Sequence, residues 1–104
     1  MDDYKVLVTH TAKKEIDYII TYLSEEMFSP DIAKLYLAEI RRAINSLAMM
    51  PKRFTLIFDE ELTPLGYRKL MVKNYIIFFT VNDEENTVYI QRVHYNRRDW
   101  AKLF

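Results

Sequence analysis

Seven consecutive residues without a charge or an amide, "YIIFFTV" at 75–81, restrict the fold of this chain more than any other feature. Successive side chains of a strand point to opposite faces, so a strand that is apolar throughout must bury both faces. The run therefore predicts the central strand of a sheet. One face is expected to pack on helices, and the other on the C-terminal "WAKLF" at 100–104 or on a partner, which includes a second copy of the chain in a homo-oligomer.

Two amphipathic helices are predicted before the strands. Thr9 is placed to cap the first helix, whose apolar residues recur at helical spacing over 12–27 and carry it to about residue 25 or 27. Ser29 and Pro30 start the second, because serine caps free N–H groups and proline fits the first helical position. Its apolar stripe covers 32–47. The short connection predicts an antiparallel helical hairpin.

The remaining strands complete an α+β pattern. "YKVLV" at 4–8 is a first strand, and "GYRKLMV" at 66–72 and "TVYIQRV" at 87–93 flank the central one. Lys73 and Asn74 fit a tight turn, since asparagine tolerates positive φ. The "FTLIF" segment at 54–58 is compatible with a short strand or with an extended buried loop. The order β-α-α-β-β-β predicts a single domain over 1–104, an antiparallel sheet with a helical hairpin packed on one face.

Composition excludes several classes of function. The chain has no cysteine and two histidines, which rules out a thiolate metal site and does not favour a zinc site or another cofactor. The N-terminus lacks the basic flank and apolar run of a signal peptide, and no stretch reaches the length of a membrane span. Fifteen basic and fifteen acidic residues cancel, so no global field attracts nucleic acid. A cytoplasmic protein that does not enter membranes is expected.

Polar chemistry concentrates in "VHYNRRDW" at 93–100, directly after the last strand. Histidine exchanges protons near neutral pH, and the arginine fork suits phosphate or carboxylate. An antiparallel meander is expected to bring Arg68 and His94 toward one end of the sheet. Together with Arg97 and Arg98 they form a candidate catalytic set for a phosphodiester. The neighbouring candidates for target or RNA binding are Lys69, Lys73, Arg92, Tyr95 and Asn96.

Each of these residues also has a structural explanation. His94 at a strand end is compatible with a hydrogen-bonded structural role, and Arg97 and Arg98 with pairing to Asp99 or to the acidic loops. Trp100 suits closure of the core. The residues by themselves leave both explanations open.

The chain resembles the RelE/ParE superfamily of toxins from bacterial type II toxin-antitoxin modules. Three stretches carry the likeness: "TAKKEIDYI" at 11–19, "GYRKLMVKNYIIFFTV" at 66–81, and above all "VHYNRRDW" with its histidine and Arg-Asp pair. The resemblance implies a small toxin that is neutralised by a cognate antitoxin lying across its helices and sheet.

The resemblance implies one of two activities. RelE-like members cut messenger RNA on the ribosome with basic residues on the sheet, and ParE-like members act on DNA gyrase. RNA-cutting members usually carry an arginine just after the tyrosine, where this chain has Ile76, although Arg68 and one of Arg97 or Arg98 fall near other basic positions of that group. The strand-end pattern and the neutral charge favour gyrase, with ribosome-dependent RNA cleavage as the alternative and a degenerate, antitoxin-binding regulator as the third.

Overall fold

The structure, a computed structural model, describes residues 3–59 and 63–96 and confirms the α+β order. The sheet has the strand order β1-β4-β3-β2, in which β1 is parallel to β4 and the other neighbours are antiparallel. β1 and β4 can pair in parallel because a long connection, which includes the helical hairpin, separates them in the chain. The elements are β1 (Lys5–Val8), α1 (His10–Thr21), α2 (Pro30–Ser46), β2 (Arg68–Val72), β3 (Tyr75–Asn82) and β4 (Thr87–Tyr95).

The helix starts follow two different rules. Thr9 caps α1 as predicted, because its Oγ1 accepts a hydrogen bond of 3.1 Å from the Ala12 N–H. Pro30 occupies the first turn of α2, but the capping role predicted for Ser29 is wrong. The Ser29 hydroxyl instead donates to the Met27 carbonyl at 2.9 Å, because that carbonyl is left over where the preceding helix ends. Within the described residues, no helix combines the length and the apolar character needed to cross a bilayer.

The main core lies between the helical hairpin and one face of the sheet. Ile19 from α1 and Ile40 from α2 are buried against Ile77 and Phe79 of β3, with Ile90 of β4 in the same cluster. Burying a side chain of this size stabilises the fold by about 1.5–3 kcal/mol. The two helical stripes predicted from the sequence therefore do converge on the central strand.

The second face of the sheet is also covered. Ile76 and Phe78, the alternate residues of β3, are buried in a separate cluster with Ile57, and Tyr67 packs against it. Ile57 lies in the "FTLIF" segment, where its N–H donates to the Tyr67 carbonyl at 2.9 Å. The segment is thus an extended cover with one isolated bridge to β2. The other expected cover, "WAKLF", lies outside the described residues.

The β2–β3 turn differs in detail from its prediction. Lys73 has a φ of 56°, whereas Asn74 is not among the residues with positive φ. In a two-residue turn of this kind only the first central residue has a positive φ, and here that residue is Lys73. The Asn74 carbonyl accepts a hydrogen bond of 2.7 Å from the Asn96 N–H, which joins the turn to the end of β4.

A charged cluster on the surface joins the residue before β1 to the β3–β4 turn. Asp83, in the β3–β4 turn, accepts a hydrogen bond of 2.6 Å from the Tyr4 hydroxyl and pairs with Lys52. The Lys52 hydrogen bond, followed by that of Tyr4, lowers the pKa of Asp83 from its ordinary value. The cluster therefore favours the ionised carboxylate in the folded state.

We predict that Asp83→Asn removes a pH-dependent part of the stability. Because the folded pKa of Asp83 is lowered, its contribution is complete above the ordinary carboxyl pKa and is lost as the pH falls through the folded value. Urea unfolding across the acidic range should show the wild-type advantage fading as the pH falls. The exposed neighbour Glu84, changed to Gln, is the control, and a wild-type advantage that is independent of pH would contradict the prediction.

Candidate functional site

The edge of β4 changes its partner halfway along the strand. The four residues of β1 pair only with the first part of β4, in the register Lys5 to Thr87 through Val8 to Ile90. The Thr9 N–H then donates to the Ile90 carbonyl at 3.1 Å, and α1 begins at the next residue. Beyond Ile90 the edge of β4 therefore faces side chains of α1 instead of another strand.

Glu15 of α1 supplies the hydrogen-bond acceptor that a neighbouring strand would have supplied. Its Oε1 accepts a hydrogen bond of 2.9 Å from the Val93 N–H, and its Oε2 accepts one of 2.9 Å from Arg92 Nη2. Arg92 Nε donates to the same carboxylate at 3.1 Å, and His94 Nε2 lies 2.9 Å from Oε2. One carboxylate thus contacts three consecutive residues of β4 and satisfies a backbone donor at the strand edge.

This contact is largely removed from solvent. The side chains of Glu15, Arg92 and His94 are 18%, 25% and 20% exposed. Partly buried charges are stable only when they are paired and hydrogen-bonded, and the always-charged guanidinium provides that pairing for Glu15. The arrangement fixes the end of β4, and with it His94, against α1.

A groove of about 780 Å³ opens beside this contact, between α1 and the end of β4. Tyr75 forms part of its wall and packs edge to face on Tyr36 and Tyr95, with ring centroids 6.0 and 5.6 Å away. Burial raises the pKa of Tyr75, so its phenol stays neutral at physiological pH. The groove is lined by His10, Thr11, Lys14, Glu15, Tyr18, Ile19, Tyr22, Tyr75, Val93, His94 and Tyr95.

The expected meeting of Arg68 and His94 is wrong. Arg68 of β2 pairs with Phe79 of the central strand β3, whereas His94 of β4 pairs with Ile76 of β3. Arg68 and His94 therefore lie about 10 Å apart along the strands and about 10 Å apart across them. Arg68 shares its face with the core residue Leu70, and His94 shares the second face with Ile76. The meander reverses direction at each turn, so β2 and β4 run parallel, and the start of β2 is level with the middle of β4 instead of with its end.

The Arg68 guanidinium is used within the fold. Its Nη1 donates to the Phe54 carbonyl at 2.6 Å and to the Lys52 carbonyl at 3.3 Å. These bonds hold the segment that leads into the cover of the second face. The geometry therefore gives Arg68 a structural contact within the fold.

Other predicted residues do lie at the His94 end of the sheet. Tyr95 is 56% exposed, and Asn96 and Lys73 are exposed beside the β2–β3 turn. Lys69 is exposed on the second face, opposite Phe78. Arg97 and Arg98 lie outside the described residues.

Glu15 was not predicted from the sequence, although a signal for it exists. It lies three residues after Ala12 and four before Ile19, both of which are buried, so it interrupts the core-facing stripe of α1 with a charge. A carboxylate in that position requires donors from a neighbouring element.

The described groove presents the imidazoles of His10 and His94, exposed tyrosines and Lys14 around an aromatic wall. Within residues 3–59 and 63–96, no group of three or more His, Cys, Asp or Glu side chains is arranged to hold a metal ion. Among the described residues, the surroundings of His94 offer the Glu15 carboxylate, the Arg92 guanidinium that is paired with it, and the aromatic rings of the groove.

The sequence model of the family described as ParE toxin of type II toxin-antitoxin system, parDE, matches residues 6–100. A search of curated proteins finds no match.

Three solved structures share the fold. The chromosomal ParDE system of P. aeruginosa superposes with a TM-score of 0.74 at 17% identity, over 90% of this chain and 97% of that chain. The RelBE2 toxin-antitoxin complex of Mycobacterium tuberculosis gives 0.65 at 26% identity, over 93% and 97%. The RelE-RelB complex of Pyrococcus horikoshii OT3 gives 0.56 at 14% identity, over 92% and 98%.

We predict that Glu15→Gln lowers the free energy of unfolding by about 1–3 kcal/mol, because it leaves Arg92 without its counter-ion in a partly buried site. Glu39→Gln is the matched control, since the Glu39–Arg42 pair lies within one helix and is more exposed, at 31% and 72%. It should change the stability by at most about 1 kcal/mol. Urea unfolding of both variants gives the comparison, and equal losses would contradict the role of Glu15.

Proposed function

Because this chain belongs to the ParE toxin family of type II toxin-antitoxin systems, we propose that it arrests bacterial growth by acting on DNA gyrase and is neutralised by a cognate antitoxin. The antitoxin is proposed because the similar structures include toxin-antitoxin complexes. Proposing gyrase goes further than family membership. It depends on how the polar residues of this chain are arranged.

One observation carries the choice of target: Arg68 and His94 lie three register positions apart along the strands, on non-adjacent strands and on opposite faces of the sheet. Cleavage of RNA needs a proton carrier and a cation within hydrogen-bond reach of the same phosphodiester. Arg68 donates to backbone carbonyls, and Arg92 donates to Glu15. Among the described residues, the one cation of the predicted catalytic set, Arg68, therefore does not lie beside His94, and Arg92, which does, is paired with Glu15.

Two further features support a protein target. Ile76, which faces His94 across the sheet, is 1% exposed and apolar, so it offers no charge to a phosphate. The net charge of the chain is zero, whereas ribosome binding rewards a basic surface. Both features weigh against RNA cleavage and are compatible with docking on a protein.

We predict that induced expression stops growth while messenger RNA stays intact and plasmid supercoiling or integrity changes. Transcript 5′ ends and plasmid topology are measured in the same culture, and purified protein is added to a gyrase supercoiling assay. Ribosome-dependent cuts at defined codons would replace the gyrase proposal with RNA cleavage. Normal growth at verified folded expression would instead support a degenerate, regulatory member.

A second prediction separates the two activities at His94. If His94 serves the fold through Glu15, His94→Ala keeps the arrest when the amounts of folded protein are matched, at a stability cost of about 1–3 kcal/mol. Removing a proton carrier from a ribonuclease would instead lower cleavage by about 10²- to 10⁴-fold. His10→Ala is the control, because His10 is the other histidine of the chain and lines the same groove.

A further inference from the structure

The tip of the helical hairpin, residues 22–30, has an unusual backbone. The helix continues beyond α1 as a π-helical turn at Tyr22–Glu26, in which the Met27 N–H donates to the Tyr22 carbonyl at 3.1 Å. The Ser29 N–H then reaches back to the Leu23 carbonyl, also at 3.1 Å. This closure forces the residue before Ser29 into the left-handed region, as helix C-caps commonly do.

That residue is Phe28, with a φ of 51°. Glycine adopts this conformation without steric cost and asparagine tolerates it, whereas a bulky side chain is strained there. The ring also gains little from the fold, because Phe28 is 87% exposed. Neither the backbone nor the packing of the isolated chain favours phenylalanine at this position, so its contribution lies in contact with another molecule.

The ring is part of an apolar patch. Four other apolar or aromatic side chains around the same tip are also exposed: Met27 by 54%, Leu35 by 46%, Ile32 by 43% and Tyr22 by 42%. A large aromatic side chain among smaller apolar neighbours is the usual composition of an interface anchor.

The charges around the patch define its partner. Glu25, Glu26 and Asp31 are exposed beside it, against the single cation Lys34 in the stretch 22–35. Phosphate backbones are repelled by such a rim. A second copy docked about a two-fold axis would bring the same carboxylates against each other. The complementary partner is a protein surface with an apolar pocket bordered by Lys or Arg side chains.

We infer that the hairpin tip is the surface with which this toxin docks on its protein target, with Phe28 inserted in such a pocket. The inference rests on the proposed function in one respect, namely that the target is a protein. It does not depend on that protein being gyrase.

The test uses Phe28→Gly, which removes the ring and suits the left-handed backbone. The variant should unfold at the same temperature as the wild type or higher, and yet need at least about tenfold more protein to arrest growth. Met50→Gly is the matched control, because Met50 also has a positive φ, of 47°, and is 61% exposed, at a different part of the surface. It should keep the full arrest.

A second pair of variants tests the carboxylates around the patch. Glu26→Lys should weaken the arrest, while Glu84→Lys, an exposed carboxylate in the β3–β4 turn, should not. The affinity for the cognate antitoxin is measured for every variant by titration of the purified proteins.

The outcomes divide cleanly. A stable Phe28→Gly protein with weak arrest and unchanged antitoxin affinity supports the inference. Full arrest by Phe28→Gly overturns it, and so does a parallel loss of antitoxin affinity, which would assign the tip to the antitoxin. Arrest by the wild type with intact messenger RNA and without any effect on gyrase would overturn the proposed target alone, since the comparison between Phe28→Gly and wild type still decides the role of the tip. Arrest through ribosome-dependent RNA cuts would overturn both, because the inference requires a protein target. A wild-type chain that does not arrest growth overturns both proposals.

Discussion

The Glu15 carboxylate is the contact on which the geometry of the candidate site depends. β1 is too short to pair with the whole of β4, so the final residues of β4 would present an unpaired edge. Glu15 closes that edge by accepting the Val93 N–H and pairing with Arg92, while His94 lies against the same carboxylate. A single side chain of α1 thereby sets the position of the strand end that leads into "RRDW".

The double-sided burial of β3 provides the frame for this contact. Its alternate residues enter two separate clusters, one beneath the helices and one beneath Ile57. Because β3 cannot move without exposing one of these clusters, the neighbouring strands β2 and β4 are held in register on either side of it. That register separates Arg68 from His94, the two described residues that the sequence had placed in one catalytic set.

The sequence was a good guide to the elements and a poor one to their meeting points. Helical spacing in α1 and α2 and the apolar run of β3 predicted the layers, because each pattern reports directly which side of an element is buried. Whether Arg68 meets His94 depends on pairing register, which no local pattern encodes. The sequence does show Glu15 as a charge within the apolar stripe of α1. Its partners, however, lie 77 to 79 positions away, and only the folded chain identifies them.

Hydrogen exchange at the Val93 amide tests the central claim most directly. If Glu15 replaces a missing strand, the Val93 N–H is protected in the wild type, and Glu15→Ala should speed its exchange by at least about tenfold beyond any change at the amides of β3. Glu15→Gln, whose side-chain oxygen still accepts a hydrogen bond, should retain most of the protection. Val93 exchange that changes in Glu15→Ala only as much as that of β3 would contradict the account.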